Sequence, residues 1–165
     1  MSTSSLAQIA AVLTKHQVEF IVIGGQAEVL FGSPRVTYDV DLCYRRSEVN
    51  LQRLADALRE LRVELRGAPP GLPFTIDARS LALGSNFTLT TPIGDLDLLG
   101  WVEPLGDYDA LIPHAEIYHS VDGDLVTISL DDLIRIKEHI GRPKDRESLL
   151  HLRAIRDLRR QSGSP

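Results

Sequence analysis

Apolar positions along the chain switch between helical and strand periods. Leu6, Ile9, Ala10 and Leu13 recur at helical spacing behind Ser4 and Ser5, either of which can cap a first helix. Residues 18–23, with an apolar run over Phe20, Ile21, Val22 and Ile23, predict a buried strand. The run breaks on Gly24 and Gly25; residues 25–30 predict a short helix closed by Gly32, and Ser33-Pro34 forces a turn. Residues 37–44 predict a second strand. Ser47 then caps a long amphipathic helix whose Leu51, Leu54, Ala55, Leu58 and Leu61 share one face, ending near Gly67. Residues 68–73, rich in proline, predict a stiff connecting loop. Residues 86–90 alternate as a strand, Thr91-Pro92 turns, and Gly94 leads into another strand over 95–99. Residues 114–121 and 124–128, joined by Asp122-Gly123, predict a hairpin. Ser129 caps a helix over 130–140, Gly141 stops it, and Pro143 opens a last helix that frays over 161–165.

That order suits an α/β (α+β) fold, a small mixed sheet with helices packed on one side. The expected division is a core over 1–128 and a helical extension over 129–165 packed on it as a single globular unit. A length of 165 residues is enough to bury a real hydrophobic centre. One cysteine, Cys43, excludes an internal disulfide framework and fits a reducing cytoplasm. No apolar stretch approaches the roughly 18 residues of a membrane span, and the first residues lack the basic segment and apolar core of a signal peptide. A cytoplasmic protein without a membrane partner is therefore expected.

The net charge of −5 argues against global attraction to nucleic acid. It is unevenly spread, however. Between Arg135 and Arg160 the basic residues outnumber the acidic Glu138, Asp145, Glu147 and Asp157. This segment can contact RNA or a triphosphate, or it can be a solvated helix face with cations favouring the C-terminal end of the helix dipole.

The candidate chemistry lies in the segment from Phe20 to Tyr44. On a strand Asp39 and Asp41 project the same way, about 6.6 Å apart along the backbone. Carboxylates that close repel unless a cation sits between them, and hard oxygen ligands suit Mg²⁺ or Mn²⁺. Gly24 and Gly25, at a strand-to-helix junction, offer bare backbone N–H groups as a phosphate cradle. Together these features suggest phosphoryl or nucleotidyl transfer. A two-ion site needs a third carboxylate, and Asp95 and Asp97, on one face of a predicted strand, are the candidates. Arg35 can hold a phosphate or pair with a carboxylate of the site. His114, His119, His139 and His151 lack partners at ligand spacing, so zinc is not expected. Cys43 reads as buried packing, and Trp101 either as core or as a base-stacking platform.

Ile23-Gly24-Gly25, a spacer from Gln26 to Tyr38, and Asp39-Val40-Asp41-Leu42 resemble the signature of the DNA polymerase β nucleotidyltransferase superfamily. Ala27, Arg35 and Thr37 match its small bacterial branches. The resemblance implies the minimal nucleotidyltransferase fold and NMP transfer from an NTP to a hydroxyl. Asp39 and Asp41 would hold the nucleotide-bound Mg²⁺ (or Mn²⁺), and Asp97, with Asp39, the second ion. Asp97 is preferred to Asp95 because Gly94-Asp95-Leu96-Asp97-Leu98-Leu99 places it on the related families' aspartate. Gly24 and Gly25 would approach the β and γ phosphates. Gln26 departs from the Ser or Thr usual there, although its amide can donate in place of the hydroxyl. The segment 133–146 resembles the AbiEii-like branch, which includes toxins of toxin–antitoxin systems. That likeness implies active-site roles for Lys137 and Asp145, tRNA or else a protein side chain as the acceptor, and an antitoxin as a partner. The competing reading is a nucleotidyltransferase fold that binds nucleotide, RNA or protein without turnover.

Overall fold

A computed structural model describes residues 4–69, 71–72 and 76–163. The sheet contains β1 (Phe20–Ile23), β2 (Val40–Tyr44), β3 (Glu64–Leu65), β4 (Asn86–Thr91), β5 (Gly94–Leu99), β6 (Glu116–Ser120) and β7 (Gly123–Thr127). The helices are α1 (Ser5–Lys15), α2 (Gly24–Leu30), α3 (Glu48–Glu60), α4 (Ala78–Leu83), α5 (Tyr108–Leu111), α6 (Leu130–Ile140) and α7 (Pro143–Gln161). The strand order is β3-β4-β5-β2-β1-β7-β6. β2 pairs parallel with β5 and β1 parallel with β7, while the other neighbours are antiparallel, so the sheet is mixed as the sequence implies.

The caps follow sequence chemistry. Ser4, Ser47 and Ser129 each accept a bond from a backbone N–H in the first turn of α1, α3 and α6, relieving an orphan donor. Val40, Leu42, Leu96 and Leu98 alternate inward and are buried, which turns Asp41 and Asp97 to the other face of the sheet. α6 and α7 put Leu133, Ile134, Leu149 and Leu152 into the same hydrophobic cluster as the strands. Among the described residues no helix is long and apolar enough to cross a membrane.

Several boundaries differ from expectation. The strand bearing the aspartates begins at Val40, leaving Asp39 on the approach to it. α3 ends at Glu60, because Arg62 takes a left-handed φ of 54° and the chain turns into β3. α4 and α5 are too short to show an apolar repeat, and periodicity does not predict them. The expected proline-rich loop lies partly outside the described residues, as do Met1 to Thr3 and the final Ser164-Pro165.

Candidate active site

Two neighbouring parallel strands create the centre of the site. Asp41 on β2 and Asp97 on β5 are register partners. The Asp41 carboxyl is pushed up to about 6, first by burial, then by the charge and hydrogen bond of Asp97 and the charge of Asp39; Lys137 works against the rise. Burial penalises the ionised form, and like charges add to that penalty. Asp39 is exposed at the entrance to β2, where its carbonyl accepts a bond from Gln26 Nε2 at 3.3 Å.

Gly24 and Gly25 make this crowding sterically feasible. Gly24 has φ of 66°, and a Cβ there would overlap the Asp41 carboxylate; a Cβ on Gly25 would lie 2.8 Å from Thr37 Oγ1. The glycine pair thus admits the carboxylate and the loop before β2 against the start of α2. Lining a cleft of about 500 Å³ are Gly24, Gly25, Asp39, Asp41 and Asp97, with Arg35, Lys137, Arg142 and Lys144 along one wall and Trp101 and Glu103 at another.

The cationic wall is backed by buried acids. Glu28 is fully buried on α2; Arg35 Nη1 donates to its Oε2 at 2.7 Å, and Lys137 Nζ lies 3.2 Å from its Oε1. Lys137, itself buried on α6, is 3.4 Å from Asp145 Oδ1. Asp145 closes a reciprocal cap on Arg142, whose backbone and side-chain N–H groups donate to it at 3.0 and 2.8 Å. Burial alone would raise the Asp145 carboxyl, but the Arg142 bonds and the Lys137 charge hold it below the usual range. Lys137 is therefore no solvent-facing lysine: two buried carboxylates fix its ammonium beside the cleft. Buried ions persist only when paired in this way.

Sequence reasoning missed Glu28 and Arg66. It left the partner of Arg35 open, and that partner is Glu28, outside the aspartate cluster. Arg66, just beyond β3, places Nη2 2.8 Å from Asp97 Oδ1 and Nε 3.4 Å from Asp95 Oδ2. Trp101 belongs to the cleft rim rather than the core, half-exposed and donating from Nε1 to Glu103 at 3.0 Å. Cys43 is buried and its thiol is pushed up to about 12, chiefly by burial, as expected of inert packing.

Among the described residues no three His, Cys, Asp or Glu side chains are gathered as a ready metal cluster. The donor chemistry nevertheless fits a hard divalent ion. Asp41 and Asp97 are pressed together at a cost the protein does not fully offset, and a cation between them would relieve it.

No protein-family model matches the sequence, and no curated protein matches it. The structure, by contrast, is that of a nucleotidyltransferase fold. It aligns with the lincosamide antibiotic adenylyltransferase LnuA, solved with lincomycin bound, at a TM-score of 0.59 and 16% identity, over 92% of this chain and 96% of that one. The antibiotic-resistance factor ANT(2'')-Ia, in complex with adenylyl-2''-tobramycin, aligns at a TM-score of 0.56 and 14% identity, over 96% and 97% of the two chains. A Thermotoga maritima protein assigned as a nucleotidyltransferase gives 0.56 and 17%, over 87% of each chain. At these identities the likeness is one of fold.

Proposed function

We propose that the protein is a divalent-cation-dependent nucleotidyltransferase that moves an NMP from an NTP to a hydroxyl acceptor. The observation carrying this reading is the juxtaposition of Asp41 and Asp97 on β2 and β5, crowded enough to push the Asp41 carboxyl up to about 6, in a cleft that also holds Lys137. Asp39, Asp41 and Asp97 would hold Mg²⁺ or Mn²⁺, which when bound supplies charge neutralisation for the phosphates.

The chain's own residues divide the remaining work. Arg35, Lys137 and Arg142 offer positive charge to the phosphates that leave, and Glu28 and Asp145 fix those cations in place. Gly24 and Gly25, without side chains, let the Asp41 carboxylate and Thr37 close in on the start of α2 and so keep the carboxylate at the cleft, and Gln26 can donate from its amide. The acceptor oxygen forms the new bond to the α-phosphorus as the bond from that phosphorus to the bridging oxygen breaks. Pyrophosphate departs with that electron pair. Asp97, at the cleft floor, orients the acceptor hydroxyl and receives its proton.

A small-molecule acceptor is favoured over the tRNA expected from the toxin-like resemblance. Two fold neighbours were solved with lincomycin and with adenylyl-tobramycin. Three of the five arginines of α7 are also held in ion pairs: Arg153 with Glu138 at 2.9 Å, Arg159 with Glu116 at 2.9 Å, and Arg156 with Asp131 at 3.8 Å. Such pairing leaves less free charge for an RNA backbone. The test incubates the protein with Mg²⁺, each labelled NTP, and either total tRNA or a panel of hydroxylated small molecules, alongside Asp39→Ala. Transfer lost in Asp39→Ala supports the reading, and the labelled acceptor chooses between its two forms. Nucleotide binding without transfer to any acceptor would replace it with the binding-module reading.

A further inference from the structure

Arg66 lies beyond the end of β3, yet it reaches a residue two strands away. Its backbone N–H donates to the Thr88 carbonyl at 3.0 Å, and Nη2 donates to the Leu89 carbonyl at 2.7 Å, both on β4. Those two bonds anchor the arginine at both ends. The guanidinium then meets β5, with Nη2 2.8 Å from Asp97 Oδ1. Because Nη2 is already aligned on Leu89, this contact is an ion pair rather than a hydrogen bond, and Asp97 Oδ1 is buried with no hydrogen-bond donor.

The register supplies a direction. Asp97 sits between Thr88 of β4 and Asp41 of β2. Arg66 is tied to Thr88, so it approaches from the side away from Asp41. The Asp97 side chain is 26% exposed although its Oδ1 is sealed, so its access to the cleft belongs to Oδ2.

We infer that Arg66 is a positioning residue for the proposed transfer: it holds the buried oxygen of Asp97 so that the other oxygen alone faces the cleft, and its fixed charge offsets part of the acidity of the site. The inference rests on the transferase reading. It has two consequences of opposite sign. Without Arg66, Asp97 can turn both oxygens toward a cation and the site becomes more negative, so metal binding tightens. Without Arg66, the same carboxylate also loses its fixed orientation toward the acceptor, so transfer slows.

The deciding experiment measures Mn²⁺ affinity by titration, without nucleotide, in the wild type, Arg66→Met, Asp97→Asn and the double variant. Circular dichroism establishes that each is folded. Even at the permittivity of bulk water, a unit charge about 6 Å from a divalent ion is worth about tenfold in affinity. Arg66→Met should therefore bind Mn²⁺ about tenfold more tightly than the wild type, but change the affinity by about twofold or less when Asp97 is already Asn. Arg66→Lys keeps a charge on a different geometry; it should leave Mn²⁺ affinity near that of the wild type while NMP transfer falls about tenfold or more. An arginine that merely staples β3 to β4 would lower the melting temperature and leave Mn²⁺ affinity alone. Unchanged or weaker Mn²⁺ binding in Arg66→Met, or the same gain with and without Asp97, would overturn the inference while leaving the transferase reading standing. A wild type that binds no Mn²⁺ would remove both.

Discussion

Replacing Asp41 by Asn should stabilise the metal-free protein, and should do so only above mildly acidic pH. The folded Asp41 carboxyl is raised from 3.8 to about 6, so the native state holds that proton more tightly than the unfolded chain does. Stability from this source is complete below about pH 4 and is lost as pH rises through about 6. Every tenfold gain in proton affinity on folding corresponds to about 1.4 kcal/mol, so full ionisation costs the native state about 3 kcal/mol. Movement of the ionised side chains apart relieves part of that cost and brings the expected figure to about 2 kcal/mol. Urea denaturation in EDTA across pH 4 to 8 gives the stability of Asp41→Asn minus that of the wild type, and the subtraction removes most other titrating groups. The difference should be small near pH 4 and grow by about 2 kcal/mol by pH 7.5, equivalent to about 4–8 °C in melting temperature for a chain of this size. Millimolar Mn²⁺ should then close the gap by stabilising the wild type alone. A difference that stays flat with pH, or that favours the wild type at neutral pH without metal, would refute the claim that like-charge crowding defines this site.

Two further substitutions probe the supports of the cluster. Gly24→Ala places a methyl group on the Asp41 carboxylate at a φ of 66°, whereas Gly67→Ala meets nothing within 4 Å at a φ of 79°. Both should lose about 1 kcal/mol to the left-handed backbone; only Gly24→Ala should lose Mn²⁺ binding and a further ~1 kcal/mol or more, as read by titration and urea denaturation. Glu28→Gln strips the buried partner from Arg35 and leaves Lys137 with Asp145 alone. It should cost about 3 kcal/mol in denaturant unfolding, the scale for breaking a buried ion pair, and a loss below about 1 kcal/mol would contradict the network.

The residues legible in the sequence and those hidden in it differ in the range of their signals. Gly24-Gly25 and Asp39-Val40-Asp41 are local patterns, and strand alternation suffices to turn Asp97 to the face opposite Leu96 and Leu98. Glu28 escapes notice because a single acid on a short helix looks like a solvated one. A signal is nevertheless present: Glu28 and Arg35 are the only charged residues between Phe20 and Tyr38, and an isolated pair of opposite charge in an apolar segment has good reason to meet. Arg66 is lost to a boundary. The segment Leu61-Arg62-Val63-Glu64-Leu65-Arg66 reads as the end of α3, which would make Arg66 a surface charge on a helix. The chain instead reverses at Arg62 and spends Glu64–Leu65 on an edge strand too short to show a period of two. Pairing of that strand with β4 is what carries Arg66 to Asp97. A short edge strand thus leaves the weakest trace in a sequence, yet by registering one strand against the next it decides which distant side chain reaches a carboxylate of the cleft.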